Sequence, residues 1–301
     1  MRSIKYYTKR SAIFLALLRV FGLILPDKVY LRWRYFLLNG YPLKLTCPKT
    51  FTEKIQWLKL YNRNPLYTML VDKCEVKKYV ADKIGEQYII PTLGVWRKFD
   101  DIDFDILPDK FILKTTNGSH TLIKCEDKKT FDKKEARKKF SKWLKISPYN
   151  TYREWAYKNV EPRIIAEKYM VDGSNKELTD YKFFCFNGRA AYCQVIADRS
   201  IDETIDFYDR DWVHQEFVGL NPRVKNALQT QAKPYGYSDM VRIAEKLSEG
   251  IPFVRVDLYF INGRIYFGEM TFYPAAGEGA FTPEIWNRRL GDMIVLPAKK
   301  I

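Results

Sequence analysis

The chain predicts an α+β protein, a helical and basic first quarter followed by antiparallel sheets, and three observations carry that prediction. Helical periodicity and helix punctuation are concentrated before Gly85. After Gly85 the texture changes to short β-branched or aromatic runs. Two of these runs are joined to their successors by Asn187-Gly188 and Asn262-Gly263, the dipeptide that favours tight hairpins, and few runs are spaced as βαβ units. With 47% hydrophobic and 16% aromatic residues over 301 positions, the chain can bury one large core or several smaller ones.

In chain order, Val29–Leu38 reads as a helix, and Thr50–Asn62 as another, opened by Thr50 and Glu53 in capping-box spacing. Pro65–Ile84 reads as a longer helix ended by Gly85. Tyr88–Ile90, Phe111–Thr115 and Thr121–Cys125 read as strands, the last two split by the turn Asn117-Gly118-Ser119. The Lys-rich segment Phe131–Ile146, with Phe131, Phe140, Trp143 and Leu144 on one face, is expected to cover them. Arg163–Met170, Tyr181–Phe186, Ala190–Ala197, Phe253–Ile261 and Ile265–Phe272 complete the strands, with a helix Ser238–Glu249 closed by Gly250. No internal repeat or low-complexity linker occurs. The expected division is residues 1–85, 86–170 and 171–301.

Charge is unevenly spread. Residues 1–64 hold thirteen Lys/Arg against Asp27 and Glu53, a net +11 of the chain's +15. Such a segment suits anionic partners, whether lipid head groups, acidic glycans or nucleic acid; a solvated basic surface is the plain alternative. Within it Ile13–Leu25 is apolar but for Arg19, follows Arg2, Lys5, Lys9 and Arg10, and is too short to span a bilayer comfortably. Without a small-x-small site after Leu25, it is expected to stay in the mature protein, lying on a membrane surface or packed on the body. Five scattered cysteines and two histidines, His120 and His214, at no motif spacing, argue against a zinc site or a disulfide framework and give no support to a hydrolase triad.

Chemistry gathers near the carboxyl end. Strand alternation puts Arg255 and Asp257 on one face of Phe253–Ile261, and Glu269 and Thr271 on one face of the next strand. Charges on central strands need partners or a metal; an Arg255–Asp257 or Arg255–Glu269 ion pair on a solvated face would also account for them. Upstream, Lys114 ends an apolar strand before Thr115-Thr-Asn-Gly-Ser, an arrangement suited to phosphate although no GxxxxGK pattern is present.

Six segments together resemble the ATP-grasp ligases, and within them the TupA-like branch named for teichuronopeptide biosynthesis. They are Asp72-Lys73-Cys-Glu-Val-Lys-Lys-Tyr-Val, Phe111-Ile-Leu-Lys-Thr-Thr-Asn-Gly-Ser, Tyr152-Arg-Glu-Trp, Ile165-Ala-Glu-Lys-Tyr-Met, Asp180-Tyr-Lys-Phe-Phe-Cys-Phe-Asn-Gly, and Arg255-Val-Asp through Gly268-Glu-Met-Thr-Phe-Tyr-Pro. The resemblance covers roughly Cys47 to Phe272 and implies an ATP-grasp fold, two α+β subdomains gripping ATP behind an amino-terminal region. It implies Lys73 and Lys114 as phosphate-binding lysines and Asn117, Gly118 and Ser119 as the loop over the phosphates. Glu167, Lys168, Tyr169 and Met170 resemble the hinge whose backbone reads adenine, and Asp180 the acid at the ribose. Lys182 lies where it can reach phosphate, Arg255 resembles the arginine that steadies the reacting carboxylate, and Asp257, Glu269 and Thr271 are the implied Mg2+ ligands.

The implied reaction is carboxylate activation by ATP and capture of the acyl phosphate by an amine. The implied partners are an acidic sugar or nucleotide-uronate and an amino acid, in the making of bacterial surface polysaccharide. The expected setting is cytoplasmic, peripheral at the inner face of the membrane if residues 1–64 bind anionic lipid, with no nucleic acid partner. Two departures stand out: His120 and Thr121 follow Ser119 where family loops are richer in glycine, and Thr271 stands where many members have Asn. Two other classes compete. Asp209-Arg210-Asp211 is an acid-x-acid motif of the glycosyltransferase kind, though its setting reads as a turn, and the basic first quarter alone would serve a non-catalytic binder.

Strand parity sets a geometric condition on the metal reading. A two-residue Asn262-Gly263 loop would pair Ile261 with Arg264, place Asp257 opposite Gly268 and send Glu269 through the other side of the sheet, so that no shared metal could form. A three-residue loop with a glycine bulge is therefore expected, setting Asp257 opposite Glu269.

Overall fold

The computed structural model describes residues 9–173, 178–197, 202–221 and 223–299; Arg2 and Lys5 of the basic first quarter lie outside them. Helix α1 (Lys9–Phe21) leads through a 3-10 turn into α2 (Asp27–Asn39), which stops at Gly40 because that residue takes a left-handed φ of 76°. Helix α3 (Phe51–Tyr61) begins at the expected capping box: the Thr50 hydroxyl accepts from the Glu53 N–H at 3.3 Å, and the Glu53 carboxylate accepts from the Thr50 N–H at 3.1 Å.

The single helix expected over Pro65–Ile84 is instead two, α4 (Leu66–Val71) and α5 (Val76–Ile84). Asp72 causes the break. Its backbone is extended and its Oδ1 accepts the N–H groups of Cys74 and Glu75 at 2.8 and 3.2 Å, so the side chain replaces helix bonding locally. Nor is Tyr88–Ile90 a strand: Glu86–Tyr88 is a 3-10 turn and Ile89 makes one isolated bridge to Phe267. The strand lies further on, at β1 (Thr92–Trp96), obscured in the sequence by Pro91 before it and a bulge between Thr92 and Gly94 within it.

β1 joins β2 (Phe111–Thr115), β3 (Leu122–Cys125) and β4 (Ile164–Lys168) in a four-stranded antiparallel sheet of order β1-β4-β2-β3. Its cover, α6 (Lys133–Trp143), is shorter than expected because Asp132 caps it, accepting from Lys134 and Glu135 N–H at 3.0 and 2.9 Å. Phe99, Phe104, Phe111 and Phe140 fill this lobe. A short helix α7 (Pro148–Tyr152) follows it.

The larger sheet holds β5 (Asp180–Phe186), β6 (Arg189–Ala197), β7 (Thr204–Asp209), β8 (His214–Gln215), β10 (Phe253–Ile261) and β11 (Arg264–Thr271), again antiparallel, in the order β11-β10-β5-β6-β7-β8. A two-residue pair, β9 (Val218–Gly219) with β12 (Phe281–Thr282), lies apart from it. Helix α8 (Tyr237–Ser248) packs on β5, β6 and β10, and α9 (Ile285–Met293) on α3. One core joins this sheet to the amino-terminal helices, with Phe51 edge-on to Phe253 at 4.9 Å.

The β10–β11 hairpin corrects the expected loop. Ile261 pairs with Arg264, so Asn262-Gly263 is a two-residue turn, and φ of 48° and 79° at its two residues suits a type I′ turn. Parity is restored further along the strand, where Leu258 pairs with Phe267 but Asp257 pairs with Glu269, leaving Gly268 as the extra residue of a β-bulge. Glycine suits the position, since a Cβ there would lie 3.1 Å from both the Asp257 carbonyl oxygen and the Tyr259 ring.

Candidate functional site

The Gly268 bulge brings the charged residues of β10 and β11 to one face. Arg255 is the hub: Nε reaches Asp257 Oδ1 at 2.7 Å, and Nη2 reaches Asp257 Oδ2, Glu269 Oε1 and Thr271 Oγ1 at 2.8, 3.1 and 3.1 Å. From the neighbouring strand β5, Lys182 stands opposite Asp257, donates to its Oδ2, and lies 3.5 Å from Asp180 Oδ1. Both Arg255 ion pairs are therefore present, but the face is not solvated, since Asp257 is 2% exposed.

Burial raises the Asp257 carboxyl above its ordinary range against the pull of Arg255 and Lys182. For Glu269 burial acts in the same direction, yet Lys73, Lys182, Arg255 and Lys114 outweigh it and hold the carboxyl well below its ordinary range. Two neighbouring acids of unequal affinity for protons thus share one cluster of cations.

The four-stranded sheet supplies the facing side. Lys73, carried on the break between α4 and α5, donates to the Gly118 carbonyl and lies 4.0 Å from Glu269 Oε2, so it links the loop after β2 to the carboxylates of β11. Lys114 at the end of β2 pairs with Glu167 Oε2 at 2.5 Å. In the loop, Asn117 and Gly118 are buried, Asn117 donating to the Ile146 carbonyl at 2.8 Å, whereas Ser119 and His120 are exposed. The Thr115 and Thr121 hydroxyls close its base at 2.7 Å.

Not every candidate faces this cleft. Lys168 is exposed and its N–H is taken by the Pro91 carbonyl at 3.0 Å; the Tyr169 hydroxyl donates to Glu126 at 2.9 Å. Met170 is partly buried beyond them.

Sequence reasoning overlooked two cations. Lys77 pairs with Glu167 Oε1 at 2.7 Å, so this buried acid has two ammonium partners, which outweigh its burial and lower its pKa. Arg163 binds Asp72 and Glu75 at 2.9 and 2.8 Å and steadies the break that carries Lys73. Lys77 sat within a motif quoted above, but only distance in space reveals its partner.

The donor set can be tested for fit to MgATP. Asp257, Glu269 and Thr271 present hard oxygen donors on one face, and Mg2+ is commonly held by one or two carboxylates with phosphates completing its shell. No group of three or more His, Cys, Asp or Glu suited to a metal occurs among the described residues. Two carboxylates and a hydroxyl thus fit a metal that arrives with a nucleotide. Asp209-Arg210-Asp211 offers no equivalent: Asp209 Oδ1 accepts the Asp211 and Val213 N–H groups at 3.0 and 2.9 Å, closing a turn, and Arg210 pairs with Glu245. A surface cavity of about 560 Å³ between β3 and α6 is lined by none of the candidate residues.

The sequence profile of the TupA-like ATP-grasp family matches residues 53–295. The chain belongs to that family. No curated protein matches it. Among solved structures this TupA-like ATP-grasp protein is similar to the D-alanine–D-alanine ligase of Bacillus anthracis complexed with ATP, at 16% identity over 75% of this chain and 65% of that one, TM-score 0.41. It is also similar to the ATP-grasp ligase PsnB with minimal precursor, Mg and ADP (13%, 73% and 57%, 0.38) and to a RimK domain ATP-grasp protein of Sphaerobacter thermophilus (10%, 78% and 70%, 0.42). The chain spans just under two thirds of the length of the first of these. By its family the chain has the ATP-grasp fold, and ATP and Mg2+ are the cofactors that go with it.

Proposed function

We propose that this protein is an ATP- and Mg2+-dependent carboxylate–amine ligase. The observation that carries the reading is the convergence of Asp257, Glu269 and Thr271 around the Arg255 guanidinium, with Lys182 and Lys73 beside them. Carboxylate activation concentrates negative charge on a phosphoryl group and then on a tetrahedral carbon, and a preorganised cationic cluster stabilises both. Bound Mg2+, held by Asp257, Glu269 and Thr271, would neutralise phosphate charge.

Within this reading Lys73, Lys114 and the Asn117, Gly118 and Ser119 loop hold phosphates, and Lys182 and Arg255 steady the reacting groups. Asp180 meets the ribose. Adenine is read from the backbone between Glu167 and Met170, less the Lys168 N–H. The chain divides for this purpose into residues 1–85, 86–170 and 171–301. The family's name and the basic surface support an acidic sugar or nucleotide-uronate as carboxylate and an amino acid as amine, in surface polysaccharide synthesis. ADP release should appear when MgATP is supplied with the right uronic acid and amino acid together. Absence of nucleotide binding would sink the ligase reading.

The first quarter supports a membrane-surface setting on the cytoplasmic side. No described helix is long and apolar enough to cross a bilayer. Yet Ile13, Phe14, Leu17, Val20, Phe21, Leu23, Trp33 and Phe36 are exposed, Ile24 to 87%, among Arg19, Lys28 and Arg32. Apolar insertion and basic attraction add on anionic lipid. The full chain is expected to sediment with phosphatidylserine vesicles at low salt and to be released by high salt. Indifference to those vesicles would return α1 to a helix that simply lies on the protein.

A further inference from the structure

Beside the carboxylate cluster lies a second group of polar residues that the ligase reading has not used. It is built where α2 and α3 meet the segment after α7 and the turn after β11. Lys59 of α3 donates to the Tyr152 and Ala276 carbonyls at 2.9 and 2.7 Å, and Gln56, one turn earlier, donates to the Ala276 and Gly277 carbonyls at 3.0 and 2.9 Å. These bonds hold Ala275, Ala276 and Gly277 at φ of 48°, 55° and 63°, a strained turn that persists only where its surroundings dictate it. Arg34 of α2 pairs with Glu278 through both carboxylate oxygens. Arg153, itself at φ 54°, is stacked 4.2 Å over Tyr30 and bonded to the Gly22 carbonyl at 2.6 Å, which fixes the next residue, Glu154.

Two groups in this assembly lack partners. Gln56 Oε1 is buried with no hydrogen bond, although Gln56 is only 1% exposed. The half-buried Glu154 side chain makes no hydrogen bond or ion pair among the described residues. Buried polar groups are normally satisfied, so an orphaned acceptor together with an unpaired carboxylate indicates a place for a donor from outside. The Tyr157 hydroxyl is acted on by Glu154 and by Glu269 and Arg255 alike, which puts this recess near the reacting face.

We propose that Glu154 receives the ammonium group of the amine substrate and takes its proton, in a subsite walled by Tyr157, Tyr273, Gln56 and Lys59. The proposal rests on the ligase reading. The step balances: Glu154 removes a proton from R′NH3+, the amine nitrogen forms a C–N bond with the acyl phosphate, the C–O bond to phosphate breaks, and hydrogen phosphate leaves with the second proton. The charged groups around Glu154 are Lys59, Glu278 and Arg34, with the Tyr157 and Tyr273 hydroxyls nearby. Burial raises the Glu154 carboxyl to about 7, with Glu278 adding to it and Lys59 and Arg34 opposing, which suits a base working near neutral pH. Cations and anions in the recess balance, so an amino acid zwitterion enters without adding net charge.

The test is calorimetry on the full chain loaded with Mg2+ and a non-hydrolysable ATP analogue, titrated with each proteinogenic amino acid and with methylammonium. At least one probe should bind at concentrations below about 10 mM, and Glu154→Gln should weaken it at least about tenfold with nucleotide affinity unchanged. Glu154→Asp should weaken it less. Where Glu154→Gln does not fold, Glu154→Asp decides, by a loss confined to the amine. Wild-type protein that binds nucleotide but no probe, or variants that bind the probe as wild type does, overturn the subsite. Wild-type protein that binds no nucleotide instead removes the ligase reading beneath it.

Discussion

Glu269→Gln is expected to lower MgATP turnover by about 100- to 1,000-fold under the proposed function, the usual loss when a group that stabilises transition-state charge is removed. The substitution keeps the shape of the side chain and removes its charge from a cluster containing Arg255, Lys73 and Lys182. Glu269 is 29% exposed at its side chain, so the variant should still fold. Stability gives a second readout with a definite sign. Surrounding cations hold the folded-state carboxyl below its ordinary 4.5, so ionised Glu269 stabilises the fold above that pH and the contribution is lost as pH falls through the folded value. The stability gap between wild type and variant should be full at neutral pH and close on strong acidification. Urea unfolding as a function of pH measures it. Wild-type turnover in a folded variant would remove Glu269 from the metal site, and a gap that grows on acidification would contradict the assigned charge state.

Lys114→Ala should weaken MgATP binding by about tenfold to a hundredfold, if its ammonium exchanges Glu167 for phosphate. The sequence alone makes this residue a strand-end lysine whose loss leaves the fold untouched. The structure alters that expectation. Lys114 is one of two partners of the buried Glu167, and its removal leaves Lys77 to hold that carboxylate alone. A stability loss of about 1–3 kcal/mol should accompany the weaker binding. Lys77→Met separates the two effects, since it disturbs the same acid from a position that the phosphate assignment does not use. It should lower stability comparably and nucleotide affinity less. Equal losses of affinity in both variants would make Lys114 a structural ion-pair residue only.

Much of the fold was written locally. The β2 and β10 limits, the capping box at Thr50 and Glu53, and the Asn-Gly turns at 187–188 and 262–263 follow from alternation, caps and residues that tolerate positive φ. Alternation also put Arg255 with Asp257 and Glu269 with Thr271, and ordered motifs identified the family that residues 53–295 match.

Tertiary structure decided how those pairs meet. Periodicity within one strand says nothing about register against the next, and the parity that brings Asp257 opposite Glu269 rests on a bulge at Gly268, well beyond the Asn262-Gly263 turn. The same holds for Asp72, where side-chain bonding to Cys74 and Glu75 overrides an unbroken helical pattern and sets Lys73 across the cleft from Glu269. Lys77 with Glu167, and Lys59, Arg34 and Glu278 around Glu154, are separated by tens to hundreds of residues. A charge in a sequence does not declare its partner; packing chooses one by burying both from water, where an unpaired charge is too costly to keep.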